Sequence, residues 1–206
     1  MRILAIETAT EACSVALFDG SACIAHDHRV LGRGHAEALV PMIAALPDKG
    51  RADRILVSLG PGSFTGVRIG IATARALGFA WGAEVLGYPT LSLLAAMAQA
   101  EHTEGVTVCM NGGHGEWFVQ NFGSDDGIVG DAQSLTPDAV RQMGTHVVIV
   151  GNRAKECAAL FSDKKIALEW LPNAQHTQSL EEANLTHDLS PIYGRAPDAV
   201  PQKVAL

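Results

Sequence analysis

No run of three adjacent basic residues occurs in the 206-residue chain, no cysteine pair has C-x-x-C spacing, and no G-x-S-x-G or H-x-x-x-H motif is present. Each absence excludes something. Attraction to a nucleic-acid backbone needs several cations acting together, and here 15 Lys plus Arg face 22 Asp plus Glu, a formal net charge of −7. Any nucleic acid is therefore expected to be held by a partner. The four cysteines, Cys13, Cys23, Cys109 and Cys157, are scattered and follow no charged-then-apolar leader; the apolar run at residues 3–6 is far shorter than a signal segment. They read as reduced thiols of a cytoplasmic protein. A bilayer span needs roughly 18–20 apolar residues, and the longest candidate, residues 67–81, is interrupted by Arg68 and Arg75. A membrane helix is not expected. Without a nucleophile elbow a Ser-His-acid hydrolase is not readable, and without helical His spacing no zinc site is.

Hydrophobic residues make up 48% of the chain and charged residues 18%, with a mean hydropathy of +0.15. That is the composition of a packed globule, of a length that allows one domain or two small lobes. The opening reads as three strands, over residues 2–8, 13–18 and 22–28, with Asp19-Gly20 as a tight turn. A helix over 35–46 gathers Leu39, Met42, Ile43 and Leu46 on one face, and a buried strand follows over 54–59. The loop Gly60-Pro61-Gly62-Ser63-Phe64-Thr65-Gly66 leads into a helix over 67–81. Thr90 is placed to cap a further helix through Leu93, Leu94 and Met97. Beyond it come strands at 106–110 and 116–122, a Gly- and Asp-rich turn region, a helix from Thr136 or Pro137, a strand over 146–150, and a short helix from Ala154. Residues 171–190 are polar and weakly patterned, and no internal repeat shows at residue level. Strands alternating with helices make an α/β protein. The lobes are set at residues 1–100 and 101–206, the second smaller, with its last residues able to return to the first.

Three features carry candidate chemistry. The 67–81 helix is apolar on two faces, Val67, Ile71, Ala74, Leu77 and Gly78 on one and Ile69, Ala72, Ala76 and Phe79 on the other. Such a helix needs cover nearly all round; it is either a central core helix or a core helix with one face for another helix. The glycine loop lies between a strand and a helix N-terminus, where backbone N–H groups favour an anion. It lacks the Lys of a P-loop, and turn geometry alone accounts for its glycines as well. His26 and His28 share one strand face without a visible third ligand, Glu7 is placed to accept backbone N–H bonds in the turn at residues 8–10, and Cys109 reads as a core thiol.

The residues Ile3-Leu4-Ala5-Ile6-Glu7-Thr8-Ala9-Thr10, Cys13-Ser14-Val15-Ala16-Leu17, His35-Ala36-Glu37 with Leu39 and Pro41, and above all Gly60-Pro61-Gly62-Ser63-Phe64-Thr65-Gly66-Val67-Arg68-Ile69-Gly70 resemble the bacterial TsaB family, also called YeaZ. The likeness is close over about the first half of the chain. It is looser afterwards, where the stretch from Asn111 to Trp117 and Pro191-Ile192-Tyr193-Gly194-Arg195 are the landmarks. The resemblance implies a two-lobed actin/Hsp70/sugar-kinase-like (ribonuclease H-like) fold built by duplication. It also implies a part in making N6-threonylcarbamoyladenosine in tRNA, as the non-catalytic paralogue of the TsaD transferase. On that reading the chain has no cofactor or metal of its own, ATP and a metal belong to partner subunits, TsaE is the ATPase, and tRNA is reached through the complex.

Pairing with a TsaD-like subunit, or with a second copy of the chain, is implied for the first lobe's helices. The residues offered to that contact are His35, Leu39, Met42, Ile43, Val67, Arg68, Ile71, Ala72, Arg75 and Ala76. An alternative is a kinase-like small-molecule enzyme of the same fold, with nucleotide phosphates on Thr8, Thr10, Gly62, Ser63, Thr65 and Gly66; a peptidase ranks last. Two departures weaken ligand binding between the lobes. Asn111-Gly112-Gly113-His114 stands where an Asp-Ala-Arg type of stretch is usual, and Glu7 stands where Asp is usual.

Overall fold

The computed structural model describes residues 1–124 and 128–194. Arg195, part of the last landmark above, and the final residues assigned to a return onto the first lobe lie outside the described residues. In chain order the elements are β1 (Arg2–Glu7), β2 (Ala12–Asp19), β3 (Ala22–Val30), α1 (His35–Ala45), β4 (Arg54–Ser58), α2 (Phe64–Trp81), β5 (Glu84–Tyr88) and α3 (Thr90–Gln99). They continue with β6 (Val106–Gly113), β7 (Glu116–Phe122), β8 (Ile128–Leu135), α4 (Pro137–Met143), β9 (Val148–Val150), α5 (Ala154–Ala158) and β10 (Ile166–Leu168).

The first sheet runs β3-β2-β1-β4-β5 and the second β8-β7-β6-β9-β10. In each, the first three strands are antiparallel and the last two join in parallel. In each, one helix precedes the fourth strand and one precedes the fifth. The two halves thus repeat one plan, which is the duplicated two-lobed α/β fold of the actin, Hsp70 and sugar-kinase type. The repeat escapes the sequence because it resides in strand order rather than in residue identity.

Alternation along the strands sets the layers. Leu4 and Ile6 of β1 with Ile55 and Val57 of β4 pack beneath α1 and α2. Ile3, Ala5 and Leu56 face the other way, into a core shared with α3 and the second sheet through Val106, Val108, Val148 and Val150. A third core, with Cys109, Val119, Ile149 and Cys157, lies under α4 and α5. A central strand covered on both faces reads as a continuous apolar run, which is why residues 3–6 lack a period of two.

Several boundaries differ from expectation. Helix α2 starts at Phe64, because the Ser63 hydroxyl caps it by accepting the Gly66 N–H at 3.2 Å, and it ends at Gly82 in a left-handed conformation, φ 66. Thr90 is the first residue of α3 and not its cap; its hydroxyl lies 2.6 Å from that of Ser58. The region after β7 is not a turn only: it contains β8, paired with β7 from Trp117–Leu135 onward. Strand β9 is shorter than the predicted 146–150, since His146 N–H donates to the Thr107 hydroxyl at 2.8 Å instead of a ladder. Strand β10, three residues long, carries too little pattern to be read. The weakly patterned stretch holds two 3-10 turns, Ala174–Ser179 and Glu182–Asn184, and the chain then returns to the first lobe. There Thr186 pairs with Gly87, and Ile192 N–H donates to Leu59 carbonyl at 2.8 Å.

Candidate functional site

Two surfaces arise from this plan. The first is a cleft of about 410 Å³ between the lobes. Its first-lobe wall is the β1–β2 turn with Ala9, Thr10 and Glu11, together with Gly62 and Ser63; the opposite wall is the β6–β7 tip with Asn111, His114 and nearby Asn152. Asn152 ties the walls together. Its amide donates to both Glu11 carboxylate oxygens at 3.0 Å, and its carbonyl oxygen accepts the Asn111 N–H at 2.8 Å.

The glycine loop is pressed onto the β1–β2 turn. Ser63 N–H donates to Ala9 carbonyl at 2.7 Å, and the Thr8 hydroxyl donates to Gly66 carbonyl at 2.8 Å. A Cβ at Gly62 would overlap the Ala9 carbonyl, one at Gly66 the Thr8 carbonyl oxygen, and one at Gly70 the Thr8 hydroxyl. These glycines are needed for close approach. Thr10, Gly62 and Ser63 line the cleft, whereas Thr8 and Gly66 are buried under it and Thr65 is exposed on the first turn of α2. Among the described residues no Lys or Arg lines this cleft, and Glu11 does. An anion there would meet a carboxylate with no counter-charge, a poor setting for phosphates.

Under the cleft sits Glu7, fully buried, its Oε1 accepting the Ala9 N–H at 2.7 Å as the turn requires. Tyr88, also buried, donates its hydroxyl to Ile6 carbonyl at 3.0 Å and stands 3.4 Å from Glu7 Oε2. Burial pushes the Glu7 carboxyl up to about 7, although bonds from Ala9, Ser58, Tyr88 and Thr8 act the other way. The fold therefore prefers the protonated acid. Glu7's contribution is most favourable below its ordinary value of 4.5 and is lost as pH rises from there to about 7. A Glu7→Gln variant keeps the acceptor for Ala9 and removes the buried charge. It is expected to melt several degrees above the parent at about pH 8, where the penalty of order ~3 kcal/mol is complete, and to show a flatter stability profile below it. A lower melting temperature at that pH would mean that the ionised carboxylate is required.

The second surface is the outer face of α1 and α2, which lie together over the first sheet. Ala36, Val40 and Ala44 on α1 and Ala72, Ala76 and Phe79 on α2 are exposed. Phe79 is 94% exposed and Val40 55%.

Residues 29–182 match the family described as TsaD, tRNA N6-adenosine threonylcarbamoyltransferase. The tRNA threonylcarbamoyladenosine biosynthesis protein TsaB of Escherichia coli K12 is 45% identical over 102 residues, which are 46% of this chain and 43% of that protein. This chain thus spans less than half the length of that curated relative. An uncharacterized protein of Mycobacterium tuberculosis H37Rv is 31% identical over 214 residues, covering 98% of this chain and 95% of its own. The solved structure of YeaZ from Pseudomonas aeruginosa superposes with a TM-score of 0.72 at 28% identity, covering 86% of this chain and 89% of that one. The chain belongs to the TsaB (YeaZ) family.

In this TsaB-family chain the ten residues offered to a partner divide sharply. Leu39, Met42, Ile43, Val67 and Ile71 are buried in the chain's own core, and His35 is 7% exposed with Nε2 3.1 Å from Ala12 carbonyl. These six are corrected from interface to core: the sheet covers the more strongly apolar face of each helix, and burying a Val, Leu or Ile side chain stabilises by about 1.5–3 kcal/mol. Arg68, Ala72, Arg75 and Ala76 remain on the outside. Both apolar faces of α2 were visible in the sequence, but not which one meets the sheet. Sequence reasoning missed Glu11 and Asn152, which sit 141 positions apart, and the contact of Arg68 with Tyr193. No local signal marks either pair. His26 and His28 lie on β3, and among the described residues no group of three or more His, Cys, Asp or Glu comes together around a metal-sized space. Cys109 is buried in the third core. No helix among the described residues is long and apolar enough to cross a membrane.

Proposed function

We propose that this chain is a subunit of the machinery that makes tRNA N6-threonylcarbamoyladenosine, and that it docks a TsaD-like transferase on the outer face of α1 and α2. It supplies no acid, base or nucleophile to the transfer. The observation that carries this reading is the apolar outer strip of Val40, Ala72, Ala76 and Phe79, with Phe79 94% exposed. A large side chain left in water beside small residues is the pattern of a surface that another helix covers. Family membership supports the same reading, as does the cleft, whose charge is wrong for phosphates. ATP and a metal then belong to partner subunits, a TsaE-like ATPase to the assembly, and tRNA binding to the complex rather than to this acidic chain. A homodimer through the same face competes with the transferase.

The test is co-purification with the TsaD-like protein of the same genome, followed by threonylcarbamoyl transfer with and without this chain. A stable pair whose activity needs this chain is the expected result. A transferase fully active alone, with no pairing, would refute the reading.

A further inference from the structure

The returning chain at residues 189–193 does not lie flat on α2. It leaves a cavity of about 400 Å³, lined by Arg68, Ala72 and Arg75 from the helix and by Ser190 and Tyr193 from the returning segment, among others. Arg68 is held open. Its guanidinium stacks 3.4 Å from the centre of the Phe64 ring and 5.7 Å from that of Tyr193, and donates to the Tyr193 hydroxyl at 2.8 Å. Arg75 makes one long bond, 3.4 Å, to Leu189 carbonyl.

Among the described residues neither arginine has a salt bridge. Asp188, just before the returning segment, accepts the Ser190 N–H at 3.0 Å. That bond and, to a lesser degree, the positive charge of Arg75 hold its carboxyl below its ordinary value, but it makes no salt bridge to Arg75. Among the described residues no Asp or Glu lines the cavity. Two guanidinium groups, each with five N–H donors in a planar fork, thus stand in one cavity of a chain whose net charge is −7. That arrangement is built for a carboxylate or phosphate.

We propose that this cavity receives an Asp or Glu side chain of the subunit that docks on α2. The inference rests on the docking reading above. A protein carboxylate is favoured over a phosphate of RNA because the cavity is continuous with the apolar strip through Ala72, and because the chain as a whole repels a polyanion.

The experiment titrates the TsaD-like protein against the parent chain, Arg68→Gln/Arg75→Gln, Arg75→Gln and Ala76→Glu, at low and at high salt. Melting temperatures confirm that each variant is folded. The double variant is expected to bind at least about tenfold more weakly at low salt and to lose most of the salt dependence of the parent. Arg75→Gln, whose single long bond makes it structurally mild, is expected to lose several-fold if the double variant proves unstable. Unchanged affinity and salt dependence in the folded arginine variants would overturn the proposal, while loss of binding in Ala76→Glu keeps the docking reading standing. Failure of the parent itself to bind would overturn both. Retained pairing with weakened binding of tRNA by the assembled pair would overturn it in favour of an RNA phosphate.

Discussion

Ala76→Glu is expected to abolish the proposed pairing with a TsaD-like subunit and to leave the fold intact. Ala76 is exposed on α2, one turn from Ala72 and from Phe79, so a Glu there meets only water in the free chain. Ala and Glu are both good helix formers, and the change costs the helix a few tenths of a kcal/mol. In a dry helix-to-helix contact the same carboxylate is unpaired and desolvated, at a cost of about 3–5 kcal/mol. At about 1.4 kcal/mol per factor of ten, affinity falls by more than a hundredfold. Calorimetric titration, with melting temperature as the control for folding, checks both halves of the statement. Parental affinity in the folded variant would remove this face from any interface. Concentration-dependent mass measurement on the same variant shows whether a homodimer uses the face too.

Gly66→Ala is expected to be, with Gly62→Ala, among the most destabilising single methyl additions in the first lobe. Gly66 lies on the first turn of α2, buried against the end of β1, and the added Cβ would overlap the Thr8 carbonyl oxygen. A carbonyl fixed in backbone cannot swing aside as a flexible side chain can. Either α2 lifts from the sheet or β1 shifts, and the bond from the Thr8 hydroxyl to Gly66 carbonyl, 2.8 Å, is lost in both cases. Overpacking of this kind costs about 3 kcal/mol, and for a chain of this length that lowers the melting temperature by roughly 6–12 °C. At Gly82, where no atom lies within 4 Å of an added Cβ, the same substitution meets only the strain of φ 66 and is a measured contrast. A Gly66→Ala protein that melts with the parent would show that the loop does not need the close approach.

Much of the first lobe was legible because its signals are local. Residues 2–30 fold as predicted into three strands, since the apolar runs and Asp19-Gly20 act within a few residues of each other. The length of α2 was legible from its continuous apolar faces, and its start three residues early follows from a cap whose donor is the backbone of Gly66. Strand β8 was hidden by Gly130 and Asp131, residues that favour turns and sit at the irregularity between the paired Val129 and Gln133, where the register with β7 shifts. Its strand character comes from a neighbour. The anion reading of the glycine loop depended on free N–H groups, and the fold directs that of Ser63 to the Ala9 carbonyl.

The sequence by itself determined β1 to β4 and the helices of the first lobe, the two apolar faces of α2, and the family, but not β5 nor the close approach of the loop glycines to β1. Tertiary structure decided which face of α2 is covered, that Glu11 meets Asn152 across the cleft, and that Tyr193 returns over 125 positions to Arg68. The division has one physical cause. Periodicity and caps act between residues a few positions apart, whereas the pairing of distant side chains depends on sheet register and on how the lobes pack, which no local pattern contains.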